Sequence, residues 1–372
     1  MQRGIKTYTT ARAAIAACAL LLGAIALALL GAAPALTVAL LTVPVAPAAL
    51  MIAGLTAGLL PAGLCLAGLL AAFAAFGPPL MLGCAALYLL PVMAVYAVCL
   101  LREVPFWKSC GALAAALVLS QCAIYLLLQG LTGGALYETA GSLAAKAVND
   151  WPYRDELLYL LASNGFLQVP VAMRDSALVA VSGGYMLSQE LVNELLLQIR
   201  GTVRELLSSL TPSLLISGSG LSALMGLSLG IRWGRQAAQR RAFRRDEPEL
   251  PIPDLGMPPL RDWHLPRPWG LRIGALGLGY FLVRMGEGGA MEMLGALMFQ
   301  TFSLCFGVQG VAAMNHSQHK RGTGRFWRAA VVVLAIAFRF MQIALIIVGV
   351  IDQITNARGL RPPMRPRGEE EE

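Results

Sequence analysis

Hydrophobic positions dominate the first quarter of the chain. From Ala13 to Leu101 there is no Asp, Glu, Lys, Arg or His. A helix needs about 20 apolar residues to cross a ~30 Å hydrocarbon core, so this run holds about four crossings joined by short turns. Pro34, Pro44, Pro47, Pro61 and Pro78-Pro79 punctuate it. They mark turns or kinks of the kind that membrane helices tolerate where neighbours re-satisfy freed carbonyls. The pattern predicts spans near 13–31, 36–54, 57–76 and 79–101, then 109–131, 210–231, 268–285, 289–314 and 329–351. The fold class expected is all-α: a polytopic transmembrane helical bundle of eight to nine spans. Small residues Ala32-Ala33-Pro34-Ala35 follow the first run like a signal-peptide cleavage site. Further hydrophobic helices follow at once, which favours an uncleaved first span.

Between the fifth and sixth spans the periodicity changes. Leu187, Leu191, Leu195, Ile199, Val203 and Leu206 recur at three- and four-residue spacing, with Glu190, Glu194 and Arg204 off that stripe. This is the signature of an amphipathic helix. It fits a helix packed on the bundle mouth or a lid lying in the membrane interface. The organisation read from these patterns is 1–131, N-terminal spans; 132–209, an external segment with the amphipathic helix; 210–351, C-terminal spans; and 352–372, a polar tail.

Composition sharpens the class. The chain is 57% hydrophobic and 13% charged, against about 25% charged in a soluble domain, so a water-facing surface cannot be built from this supply. The net charge of +8 raises nucleic acid as a partner, but the cations form no single face or stripe, and nucleic acid is excluded. They sit between apolar runs, as positive-inside topology requires. Arg232, Arg235, Arg240, Arg241, Arg244 and Arg245 open loop 232–268 and put it in the cytoplasm. Arg240, Arg241, Arg244 and Arg245 are candidates for contact with anionic lipid head groups. Residues 132–205 carry five basic against eight acidic side chains, in keeping with an external segment. The tail resists assignment: nine spans put it outside although it holds Arg358, Arg361, Arg365 and Arg367. A re-entrant 268–285 brings it inside but pushes the basic loop 315–328 out.

Chemistry-bearing motifs are sparse. Gly226-Leu227-Ser228-Leu229-Gly230 has GxSxG spacing, but a nucleophile elbow needs a strand before it. Inside an apolar span, helix packing is the expected role. His316 and His319 lack acidic or cysteine neighbours in a basic loop, and no metal site or cofactor is expected. The seven cysteines form no CxxC pair and read as small hydrophobes between helices. An enzyme is not expected. The informative residue is Arg339, ten residues into the last span and so ~15 Å deep. Gln342 shares its face, and the preceding span offers Gln300 and Glu292. These four are the candidate ligand-binding residues, lining a polar pocket; an Arg339–Glu292 pair tying two helices is the alternative.

The second half carries a further pattern: Leu210-Thr211-Pro212-Ser213-Leu214-Leu215-Ile216, Asp262-Trp263-His264-Leu265-Pro266, Val308-Gln309-Gly310-Val311 and Gly349-Val350-Ile351-Asp352-Gln353, with Arg358 six residues on. Over roughly 205–365 these segments resemble the YybS-like family of predicted bacterial membrane proteins. That family is in turn similar to the substrate-binding membrane subunits of energy-coupling-factor importers. The resemblance implies capture or transport of a small molecule, with a transport ATPase or coupling subunit as partner. Ala13 and Ala17 have the AxxxA spacing of those subunits' coupling helix. The other function expected is a non-transporting scaffold or regulatory protein docking cytoplasmic partners on loop 232–268. In either case the chain is a multi-pass protein of the cell membrane.

Overall fold

The structure, a computed structural model, describes residues 45–76, 79–173, 178–181, 184–245, 255–283, 289–337 and 339–360. The span expected at 13–31, Cys18 and the start of the 36–54 span lie outside the described residues. Four described helices are long and apolar enough to cross a membrane: Leu82–Leu101, Phe106–Leu131, Leu215–Gln236 and Leu294–Lys320. The other described apolar segments fold as shorter helices.

α1 (Val45–Ala57), α2 (Leu59–Phe76), α3 (Pro79–Leu101) and α4 (Phe106–Leu131) form an antiparallel series. Gly58, at φ +107°, makes the α1–α2 turn, a backbone region that glycine enters without steric cost. Tyr96 on α3 is buried against Gly54 and donates its hydroxyl to the Met51 carbonyl oxygen at 2.6 Å. Satisfying that hydroxyl is what permits a tyrosine in this apolar core.

Outside the spans sit α5 (Leu136–Asn149), α6 (Arg154–Ser163) and a hairpin of β1 (Leu178–Val181) with β2 (Gly184–Leu187). Leu178 pairs with Leu187, and Val181 with Gly184. The hairpin is the one departure from an all-helical chain among the described residues. α7 (Gln189–Ser213) realises the amphipathic stripe. Leu191, Leu195 and Ile199 are buried with Leu158 of α6 and Leu167 in a separate small core. From Leu187 to Val203 the stripe is therefore a packing face, while Leu206 at its end is half exposed. α5 closes on α7 where Gly141 meets the Arg200 backbone, and Glu138 there takes hydrogen bonds from Arg200 at 2.9 Å and Arg204 at 2.7 Å.

α7 does not end at the membrane. It continues through a π-helical stretch, Leu214–Gly218, into α8 (Ser219–Arg245). Pro212 has no N–H for the Ser208 carbonyl, and its ring crowds that turn; the π stretch begins two residues later. Residues 232–245, expected in a loop, are helical, so the arginines at 240, 241, 244 and 245 extend α8. The described remainder of that loop, from Leu255 onward, is not free either. Leu255 accepts a hydrogen bond from the Phe106 N–H at 2.6 Å, and Trp263 is buried beside Phe106 and Trp107, with ring centroids 5.7 and 5.2 Å apart. The loop caps one end of the bundle.

The GxSxG segment is a packing device. Gly226 and Gly230 of α8 face Met51 and Leu55 of α1 with no room for a Cβ. α9 (Arg267–Val283) and α10 (Gly289–Lys320) pack through Gly277 on Phe302. The last hydrophobic segment, expected as one span at 329–351, is described as α11 (Arg325–Ala337) and α12 (Arg339–Thr355) on either side of Phe338. α12 lies so close to α10 that a Cβ on Gly310 would strike the Leu345 carbonyl, and one on Gly349 the Phe306 carbonyl. Small residues allow such approach in membranes.

Candidate functional site

Two polar clusters interrupt the apolar bundle. The first surrounds the π turn. Ser219, buried on α8, donates to Gln121 Oε1 on α4 at 3.2 Å, and Gln121 Nε2 donates to the Tyr88 hydroxyl on α3 at 3.2 Å. Ser217, two residues earlier in the π stretch, donates to Gln300 Oε1 on α10 at 3.2 Å. In a regular α-helix residues two apart point to nearly opposite sides. The junction of the π stretch with α8 thus presents one hydroxyl to the N-terminal spans and one to the C-terminal spans. A polar seam results that joins both halves. Each of these groups, left without a partner in an apolar interior, costs about 1–3 kcal/mol.

The second cluster lies where the loop after α8 meets α10 and the end of α12. Arg358 donates to both carboxylate oxygens of Asp352, from Nε at 3.0 Å and Nη2 at 2.8 Å. It also donates to the carbonyls of Arg261 at 2.7 Å and Trp263 at 2.8 Å. Gln309, buried on α10, donates to Asp352 at 2.9 Å and to Gln353 at 3.0 Å, and accepts from the Leu265 N–H at 3.3 Å. Gln353 in turn fills the space over Gly270 of α9. Both charged partners are almost fully enclosed. The bidentate ion pair with two further carbonyl acceptors satisfies the guanidinium geometry, so the cluster ties three chain segments together. His319 extends this network, touching Arg261 and, at 3.0 Å, Arg328.

Of the four residues singled out from the sequence, Gln300 enters the seam, half-buried against Ser217. Gln342 is exposed on α12. Arg339 opens α12 and Glu292 lies in the first turn of α10, but their side chains fall outside the described residues. Sequence reasoning passed over Gln309, Asp352 and Arg358 as carriers of interaction, although it quoted all three. The available signal was an acid closing an apolar helix with an arginine six residues later.

Bundled apolar helices with glycine-mediated contacts and internally satisfied polar groups define a helical membrane protein. Residues 179–353 match the family described as "Predicted membrane protein (DUF2232)", to which this part of the chain is similar. The matched stretch runs from the hairpin to Gln353 and includes the π turn, Gln309 and Asp352. No curated protein and no solved structure matches the chain.

Proposed function

We propose that the chain is a multi-pass protein of the bacterial cell membrane that captures a small polar molecule among its C-terminal spans. The observation that supports this is the seam at the π turn, where Ser217 and Gln300 meet between α8 and α10. Polar groups within membrane spans face the bundle interior and mark substrate pathways, and π turns recur at functional sites. Gln300 is the lining residue with support from geometry; Arg339, Glu292 and Gln342 complete the pocket in this reading. The resemblance to YybS-like proteins and importer subunits points the same way and names a transport ATPase or coupling subunit as partner. In the eight-span arrangement, 13–31 and the shorter helices α1, α2 and α9 supply the crossings beyond the four long ones; the nine-span arrangement needs the α11–α12 segment to cross as well. Mass spectrometry of small molecules co-purifying with the full chain tests the reading. A molecule retained by the wild type and lost from Gln300→Leu and Arg339→Leu supports capture; an unchanged complement in both folded variants refutes it.

A second reading has its own observation. The helical path from Gln189 to Arg245 joins the external head to the arginine-rich end of α8, which suits a regulatory protein docking cytoplasmic partners on 232–268. Pull-down from detergent separates the two. Recovery of envelope or signalling proteins favours docking, and recovery of a transport ATPase favours capture.

A further inference from the structure

Of the six tryptophans in the chain, Trp151 is in the head and five lie at the opposite end of the bundle. The Ser219–Gln121 hydrogen bond fixes a common level on the antiparallel pair α4 and α8. Trp107 precedes Gln121 by 14 residues and Trp233 follows Ser219 by 14, so each lies ~21 Å from that level in the same direction. Trp263 packs on Trp107. Trp269 stands in the first turn of α9, just after the capping loop, and Trp327 in the first turn of α11, next to Arg328, which touches His319.

Trp263 is buried, but the other four are open: Trp107 39%, Trp233 50%, Trp269 56% and Trp327 66% exposed. Each has a cation beside it. Lys108 follows Trp107 and Arg232 precedes Trp233, both exposed. The Arg272 guanidinium sits 5.3 Å from the centre of the Trp269 ring, and Arg328, half-buried with one nitrogen on His319, follows Trp327. The acids of this end, among the described residues, are Glu103, Asp262 and Asp352, and the last two face Arg261 and Arg358. The other end of the bundle differs: Tyr125 and Tyr137 meet there, next to Glu138.

We propose that these four exposed tryptophans and the cations beside them form a girdle that selects anionic over zwitterionic phospholipid. An indole seats at the headgroup level with its ring toward the acyl chains. A neighbouring lysine or arginine then meets the phosphate through a charge-assisted hydrogen bond. Zwitterionic lipid offers the same phosphate with a compensating ammonium; anionic lipid does not, so the unbalanced cations prefer it. The girdle rests on the multi-pass reading but not on ligand capture, and it differs from lipid contact by the arginines at 240–245.

The test uses the full chain in nanodiscs of equal phosphatidylglycerol and phosphatidylcholine, with the lipids retained on extraction quantified by native mass spectrometry. Retained lipid should be enriched in phosphatidylglycerol about fivefold or more, from roughly a fivefold effect for each cation near the surface. The enrichment should vanish in Lys108→Gln/Arg232→Gln/Arg272→Gln/Arg328→Gln and survive the exchange of the three arginines for lysine. No enrichment in the wild type, or enrichment lost only on neutralising Arg240, Arg241, Arg244 and Arg245, overturns the proposal. A second measurement needs no variant. Brominated phosphatidylglycerol should quench wild-type tryptophan fluorescence more strongly than brominated phosphatidylcholine, and equal quenching overturns the girdle even where the quartet variant fails to fold. Neither result bears on whether a small molecule is captured.

Discussion

Arg358 and Asp352 carry the largest single energetic commitment that the described structure makes to charge. Removing one partner of a buried pair strands the other, at about 3–5 kcal/mol. Arg358→Leu should therefore lower the melting temperature in detergent far more than Arg358→Leu/Asp352→Leu, which removes both charges; equal losses would mean that the pair is not buried in solution. Gly310 makes the same kind of local claim through space. A Cβ there meets the Leu345 carbonyl, and overpacking costs about 1–3 kcal/mol. Gly310→Ala should destabilise, whereas Gly63→Ala, where a Cβ meets nothing, should not; thermal unfolding in detergent compares them. Arg339 stands out in the sequence because its neighbours are apolar, while Arg358 sits among polar residues and does not. What buries Arg358 is a pair of carbonyls 95 and 97 positions away, a fact that no window of sequence contains.

Among the elements, α7 was the most legible. Its spacing named Leu191, Leu195 and Ile199, and these are the residues buried in the head. Leu195→Ala should loosen that core by about 2–5 kcal/mol, read as earlier urea unfolding of the head by Trp151 fluorescence with the spans still helical. An unchanged midpoint would put α7 elsewhere. The α5–α7 contact adds a pH dependence. Hydrogen bonds from Arg204 and Arg200 hold the Glu138 carboxyl below its ordinary 4.5. A carboxyl depressed in the folded state stabilises above its unfolded value, and the contribution is lost as pH falls through the folded one. Amide exchange in Leu136–Asn149, corrected for intrinsic rates, should be slow at pH 7 and rise below pH 4.5. Protection that stays flat across that range would contradict the contact. The π turn was not legible, although Pro212, two residues before it, was in plain view. A proline in an apolar run predicts a kink or a turn equally well, and the partners on α4 and α10 decide between them.

For the whole molecule, a chain of contacts from Arg328 to His319, to Arg261 and to Arg358 joins the two ends of the α11–α12 segment. The tail should then leave on the arginine-rich side together with the 321–324 turn, which removes the conflict over the basic tail. Single cysteines at Ser163, Lys320 and Ala357, in a background lacking the native ones, test this with an impermeant thiol reagent on intact cells. Ser163→Cys should label directly, and Lys320→Cys and Ala357→Cys only after permeabilisation; opposite behaviour of the last two would restore a full final crossing. The sequence by itself determined the solvent, because a run from Ala13 to Leu101 without charge can be stable only in lipid. It also determined the amphipathic helix, whose period is a local property of the chain. Tertiary structure alone decided which polar groups meet. In a membrane a buried polar side chain must find a partner within the protein, and Gln121, Ser219 and Gln309 find theirs on helices far away in sequence.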